Sequence, residues 1–384
     1  MKMSRLHLRD FRNYKDLKVE FSPRLNIFIG DNGQGKSNLL EAIALLSLNE
    51  SFRYADNENL IRFDAQAAFI EGDLDRNGLD YKVKMQILKS RKNVTWNEKK
   101  ITQTSIREHF SCVVFSPESL SFIKEASDER RTLIDEALIS VDPLAADLVT
   151  DFRKALKTRN KVLKDYLAEE TDKKSTLAVL ESLNPLFLSL ASQLTLKRIQ
   201  LLGQMRSGIQ EAMEFISKKS VDISVEYRIS GENFLQKASE ISLEEVNNAL
   251  HQRMLQLRDA ELASGASLVG PHKHEIVFLY DQKDSRFYCS QGQQRALILS
   301  FKMAQIVYYY KLHEAYPILL LDDVLSELDF VKRGALIEFL QSIKTQIFLT
   351  TTDLHLPEEL RMDEAKVFVV KDLVLKEVAK NDID

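Results

Sequence analysis

Eight residues, Gly30-Asp31-Asn32-Gly33-Gln34-Gly35-Lys36-Ser37, restrict what this chain can fold into more than any other feature. Leu25, Ile27 and Ile29 precede them in strand alternation, and Leu39, Leu40, Ile43, Ala44 and Leu46 follow at helical spacing, so the loop joins a strand to a helix. In that setting glycines let backbone N–H groups converge on phosphate oxygens, and the helix N-terminus adds the positive end of its dipole. Lys36 then reaches the β- and γ-phosphates, and the Ser37 hydroxyl serves a Mg²⁺ ion. Gly30 through Asn38 is the candidate nucleotide loop.

A second phosphate device lies far downstream. Ser290-Gln291-Gly292-Gln293-Gln294-Arg295 opens a helix whose residues Ala296, Leu297, Leu299, Phe301, Met303 and Ala304 are apolar on most of its circumference. A serine cap beside a bare glycine is common by itself. Here it is followed by Ile318 through Leu321, an apolar run without alternation, as in a strand buried on both faces, and then by Asp322-Asp323. Ligands sit at the carboxyl ends of such strands. Asp322 is therefore the candidate Mg²⁺ carboxylate and Asp323 the candidate base for an attacking water, with helix capping as the plainer role for Asp323. Two grips for one γ-phosphate imply a site closed from two sides.

The 384 residues, 44% apolar and 29% charged, are enough for a full core and for two lobes. The net charge of −4 gives no overall positive field, so any nucleic-acid contact has to come from a local basic patch. Cys112 and Cys289 show neither zinc spacing nor a disulfide framework, which fits a reducing cytoplasm. No apolar stretch reads as a membrane span, and no membrane partner is expected. The nucleotide lobe is split in sequence: residues 1–115 and 263–384 form an α/β head, and 116–262 a mainly helical arm. Asn184-Pro185 predicts a helix boundary or kink within that arm, and Phe287-Tyr288 reads as strand.

Taken together these motifs resemble ATP-binding-cassette heads of the SMC type, and most closely the bacterial RecF family of recombination mediators. The resemblance runs through Phe11-Arg12-Asn13-Tyr14, the Gly30–Ser37 loop, Ser51-Phe52-Arg53, Phe115-Ser116-Pro117-Glu118, Arg130-Arg131, Leu268 to His272, Ser290 to Arg295 and Leu321 to Asp329. It implies an ABC-type P-loop ATPase head, a mixed sheet with flanking helices, carrying an inserted helical lobe. It further implies ATP and Mg²⁺ as ligands, with Lys36, Asp323 and Ser290 catalytic. Ser290, Gly292 and Gln293 become a signature that meets the γ-phosphate held by a second subunit, and Ser326 to Asp329 the loop crossing that interface. Arg12 and Asn13 resemble positions near the nucleotide, and Arg53 a loop arginine near the phosphates or DNA.

The chain departs from the pattern in places. Phe115-Ser116-Pro117-Glu118 holds no Mg²⁺-sensing glutamine, Thr350-Thr351-Thr352 stands where transporter cassettes carry a switch histidine, and Lys273-His274-Glu275 replaces the family's Arg-Asp-Asp. Asp323 is one methylene shorter than the usual glutamate, consistent with a slow, switch-like ATPase.

Function follows as an expectation: ATP-driven homodimerisation on double-stranded DNA or single/double-strand junctions in recombinational repair, hydrolysis as release, and help to a RecR-type partner in RecA loading, in a nucleoid-associated cytoplasmic protein. Two basic runs are available for sequence-independent phosphate contacts: Lys82, Lys84, Lys89, Arg91, Lys92, and Arg153, Lys154, Lys157, Arg159, Lys161, Lys164. Each alone reads equally as a solvated face, and edge lysines also deter strand pairing. The rival readings are a transporter-like ATPase subunit, which wants the missing glutamine and histidine, and an SMC-like tether, which wants a far longer coiled coil than this arm supplies.

Overall fold

A computed structural model describes residues 1–76, 78–124, 126–353 and 364–378. The chain separates into two compact units, one of residues 1–121, 212–220 and 290–384, the other of residues 122–211 and 221–289.

The first unit is built on two sheets, each of six strands among the described residues. One has the order Val374–Val378, Ala365–Lys371, Leu25–Ile29, Ile347–Thr351, Ile318–Asp322, Cys112–Phe115; all its pairings are parallel except that of the Val374–Val378 edge strand. Leu25–Ile29, Ile318–Asp322 and Ile347–Thr351 are buried along their whole length, which is why these runs show no alternation. The other sheet is antiparallel: Tyr14–Glu20, Lys2–Phe11, Ala68–Arg76, Leu79–Leu88, Arg91–Trp96, Lys99–Lys100. Its strand Leu79–Leu88 alternates, with Val83, Met85 and Ile87 inward.

Helix Lys36–Leu48 is buried on nearly every side, and its Leu39, Leu40, Ile43 and Leu46 share one apolar core with residues from both sheets. A helix apolar all round belongs inside a protein. That sandwiching fixes where its first residues, Lys36 and Ser37, point. The parallel register sets Asp322 against Thr350 and Ile29 against Thr351, so three loops leave the sheet at one edge.

The second unit contains helices Ser127–Val141, Ala145–Leu167 and Leu243–Ser264, most of the 45-residue helix Lys173–Ser217, and a four-stranded antiparallel sheet. Residues 263–289, read from sequence with the head, lie in this unit because strand Glu275–Tyr280 pairs with Ile223–Ile229. Phe287 and Tyr288 belong to a short helix, Ser285–Tyr288, rather than a strand: the Asp284 carboxylate accepts the Arg286 N–H and caps it. Nor does the helix end at Asn184-Pro185. It runs through Pro185, and the burial of Phe187, Leu188, Ala191 and Leu194 outweighs the backbone hydrogen bond that proline forfeits. Length and composition alone would let this helix cross a membrane, contrary to the expectation from sequence, but Ile199, Leu202 and Met205 are also buried in the protein's own core, while Val179 and Leu186 are exposed.

Candidate functional site

Strand Leu25–Ile29 delivers the chain to Gly30, where any side chain would collide with the Val370 carbonyl oxygen. Gly35 has φ 95°, in the left-handed region, and a Cβ there would lie 2.7 Å from the Tyr14 hydroxyl. At Gly33, φ is 83° with open space beside it, as a loop that wraps an anion requires. Lys36 is 6% exposed, and its ammonium donates to the carbonyls of Gly30, at 2.5 Å, and Asp31, at 2.8 Å. Burial lowers its pKa, opposed by the charges of Asp323, Asp322 and Asp31.

Opposite the loop, the Ser37 hydroxyl donates to Asp322 Oδ1 at 2.8 Å, and Thr350 Oγ1 donates to the same oxygen at 2.7 Å. Asp323 N–H donates to Thr350 Oγ1 at 2.9 Å. Burial raises the Asp322 pKa; the bonds from Thr350 and Ser37 and the charge of Arg53 lower it, whereas Glu118 raises it. Asp323 lies in the left-handed region, φ 48° and ψ 26°, and its carboxylate Oδ1 is buried with no hydrogen-bond partner among the described residues. Its pKa too is raised by burial, with Ser326 and Lys36 pulling it down and Glu327 pushing it up. A half-buried hydroxyl, a buried carboxylate and a second carboxylate whose Oδ1 lacks a partner among the described residues are hard oxygens that suit Mg²⁺ completed by phosphate and water. The residues fit a magnesium nucleotide.

Around this centre the structure ties down several candidates. Asn13 Oδ1 accepts from Asn38 Nδ2 at 2.8 Å, and Asn38 Oδ1 accepts from Arg53 at 3.1 Å, so Arg53 sits over the first turn of the helix while remaining exposed. Arg12 is turned away from a purely nucleotide role: its Nε and one terminal nitrogen clasp Glu41, and its other terminal nitrogen donates to the Asn59 carbonyl.

The signature residues form their own structure. Ser290 caps helix Gln291–His313: its Oγ accepts the Gln293 N–H at 3.3 Å, while Gln293 Oε1 accepts the Ser290 N–H at 2.8 Å. Arg295 donates to the Glu327 carbonyl at 2.6 Å and pairs with the Glu327 carboxylate, binding the signature helix to the loop that follows Asp323. Ser326 donates to the Asp323 carbonyl at 2.7 Å, and Asp329 caps helix Phe330–Ser342 by accepting the Lys332 N–H at 3.0 Å. Among the described residues no hydrogen bond or ion pair joins Ser290, Gly292 or Gln293 to Lys36, Ser37, Asp322 or Asp323.

The basic runs separate. Lys84 pairs with Glu98 at 2.9 Å and Lys89 with Glu58 at 2.6 Å; Lys92 turns inward and donates to the Asn49 carbonyl at the end of helix Lys36–Leu48, with its pKa lowered by burial. Lys82 is half-buried and Arg91 exposed. Lys92 is thus a helix-end cap rather than a free cation. In the second run Arg159 is 2% exposed and bonds Glu261, Ser267 and Asn184, which removes it from any surface. Arg153, Lys157, Lys161 and Lys164 remain exposed on one helix.

The roles of three contributors are not legible in the sequence. Glu41 is a lone acid within an apolar helix, a signal for a buried partner. Glu118 acts on Asp322 from the stretch where a glutamine was sought. The hydroxyl of Thr350 acts through a strand pairing that no local pattern displays.

Comparison with known proteins agrees with this architecture. Residues 2–372 match the RecF/RecN/SMC N terminal domain. The DNA replication and repair protein RecF of Lactobacillus johnsonii is 33% identical over 361 residues, covering 92% of this chain and 93% of its own. RecF of Bacillus subtilis is 31% identical over 375 residues, covering 97% and 98%. A solved structure of the recombination mediator protein RecF-ATPrS in the RecFOR pathway superposes with a TM-score of 0.85 at 27% identity, over 98% of both chains. The Smc head domain from Pyrococcus furiosus shares the fold, with a TM-score of 0.52 at 16% identity over 98% of this chain and 96% of that one. An ABC-type head with its inserted lobe, together with these relatives at full length, means that the chain belongs to the RecF family.

Proposed function

We propose that this protein is an ATP-gated DNA clamp: two copies sandwich ATP and Mg²⁺, close on double-stranded or junction DNA without reading sequence, and reopen after slow hydrolysis. The observation that carries the reading is the pairing of a complete P-loop with signature residues Ser290, Gly292 and Gln293 that, among the described residues, make no hydrogen bond to Lys36, Ser37, Asp322 or Asp323. Ser290 is exposed, and Phe330, directly after the Asp329 cap, is 90% exposed, a surface in want of a partner.

On this reading Lys36 gives up its two carbonyl partners for phosphate oxygens, and the Gly30–Asn38 loop contributes backbone N–H groups. Ser37 and Asp322 would hold Mg²⁺, which when bound neutralises phosphate charge. Asp323 Oδ1, buried and without a partner among the described residues, takes the proton of the attacking water, and its raised pKa suits a base that must hold that proton. Ser290, Gly292 and Gln293 of the second copy close the site, so the nucleotide is part of the interface and binding is coupled to dimerisation.

Arg153, Lys157, Lys161 and Lys164, exposed along helix Ala145–Leu167, and Arg53 supply cations for DNA phosphates. Relatives named for DNA replication and repair, and a neighbour named within a RecFOR pathway, support a bacterial, nucleoid-associated role in handing gapped DNA to a RecR-type partner for RecA loading. Sedimentation tests the core of the proposal: the protein dimerises with Mg²⁺-ATP and DNA and is monomeric with ADP. Dimers indifferent to the nucleotide would refute it.

A further inference from the structure

A single hydroxyl joins the two acidic residues of the site. Thr350 is fully buried, and Oγ1 has one hydrogen to give and lone pairs to receive. It gives to Asp322 Oδ1 at 2.7 Å and receives from the Asp323 amide at 2.9 Å. Both duties of a hydroxyl are therefore spent on adjacent residues of another strand, in the register that sets Asp322 beside Thr350.

The consequence falls on Asp323. Its φ of 48° lies where L residues are disfavoured, at the mouth of the short turn Val324–Glu327. Its N–H would be orphaned without Thr350, and an orphaned buried amide pulls a backbone out of a strained conformation. With the amide anchored, and with the Asp323 carbonyl accepting from Ser326, the peptide is fixed at both ends. The carboxylate then stands with Oδ1 buried and without a hydrogen-bond partner among the described residues.

Resting on the ATPase reading above, we infer that Thr350 is a positioning residue that sets the left-handed turn at Asp323 and aligns both acidic side chains for hydrolysis. It does so through Asp322 and Asp323 and touches neither nucleotide nor water itself.

Thr350→Val keeps the shape and removes the hydroxyl; Thr350→Ser keeps the hydroxyl. Hydrogen exchange of the Asp323 amide in nucleotide-free protein, and kcat and KM for Mg²⁺-ATP, are compared with the parent. The expected result is an Asp323 amide that exchanges at least about tenfold faster in Thr350→Val, since its hydroxyl acceptor is gone. In the same variant kcat falls by about 10²-fold, the effect of a small misplacement, with KM within about threefold. Thr350→Ser restores both, and Thr350→Ala, without bulk, repeats the valine result. An unchanged amide and kcat in Thr350→Val, a serine variant as impaired as valine, or a loss confined to KM overturns the inference. A parent protein that turns over no ATP strikes the ATPase reading instead, and the exchange measurement still decides the role of Thr350.

Discussion

The Arg12 guanidinium grips Glu41 with two N–H···O bonds, Nε to Oε2 at 2.8 Å and a terminal nitrogen to Oε1 at 2.6 Å, and Glu41 is fully buried. The pair locks the turn after strand Lys2–Phe11 onto the helix that begins with Lys36, and so holds Asn13 against Asn38. Removing one partner leaves a buried charge without compensation. Arg12→Ala, which leaves the fully buried Glu41 carboxylate without its guanidinium, should lower unfolding stability by about 3–5 kcal/mol in urea titration, and Arg12→Lys should not restore the bidentate clasp. A loss below about 1 kcal/mol, the range of surface pairs, would show that the clasp carries no structural weight.

Asp323→Asn keeps the size of the side chain and removes its basicity. Turnover should drop by about 10²–10⁴-fold, the usual worth of a general base, while ATP binding persists. The variant should accumulate as ATP-bound dimer on DNA, visible by sedimentation. Turnover equal to the parent's would assign Asp323 to capping alone.

His272 predicts how stability depends on pH. Its Nε2 donates to the Ser267 carbonyl at 3.0 Å, and its buried Nδ1 has no partner among the described residues. Burial, joined by the charges of Lys273, Arg131 and Arg159, pulls its pKa from 6.5 down to about 4. The folded value lies below the unfolded one, so between them the unfolded chain binds more protons. This contribution is complete above pH 6.5 and fades as the pH falls toward 4. The loss is on the order of 2–3 kcal/mol. His274, also lowered by burial, acts in the same direction. His272→Gln should flatten, without abolishing, the acid limb of stability measured from pH 7 to 4; an unaltered limb would exclude His272 as a source.

DNA affinity should answer to the helix cations. Arg153, Lys157, Lys161 and Lys164 recur at spacings of four, four and three, so one face of helix Ala145–Leu167 carries them together. Lys157→Ala combined with Lys161→Ala should reduce the slope of log affinity against log salt by about 1.8 for duplex DNA. Lys92→Ala, by contrast, should lower stability and leave the slope intact, because that ammonium serves the Asn49 carbonyl. The reverse pattern would move the DNA surface to the sheet.

What was readable in advance divides along physical lines. Strands buried on both faces, such as Ile318–Asp322, and the helix that Lys36 opens announce themselves through local apolar pattern and glycine spacing. That Asp322 stands at the loop, beside Ser37, was legible because a carboxylate after four aliphatics has little structural motive. Phe287 and Tyr288 misled because two aromatics in a short segment suit a strand, while the cap from Asp284 that makes them helical is a polar detail. At Pro185 the helix runs on because tertiary packing outweighs the local preference for a boundary. Arg12, Arg159 and Lys92 are cations whose partners lie 29, 102 and 43 residues away, and charge alone does not tell a paired side chain from a free one. The bridging role of the Thr350 hydroxyl was hidden for the same reason: it depends on a register set 28 residues away.

The central claim is that each copy supplies half the grip on one nucleotide. Lys36→Ala removes one half and Ser290→Arg the other, and each variant alone should be inactive. Mixed in equal amounts, they form heterodimers with one intact shared site, and part of the parent's ATPase should return. Two folded variants that pair on DNA with ATP and yet show no recovered turnover would contradict the account.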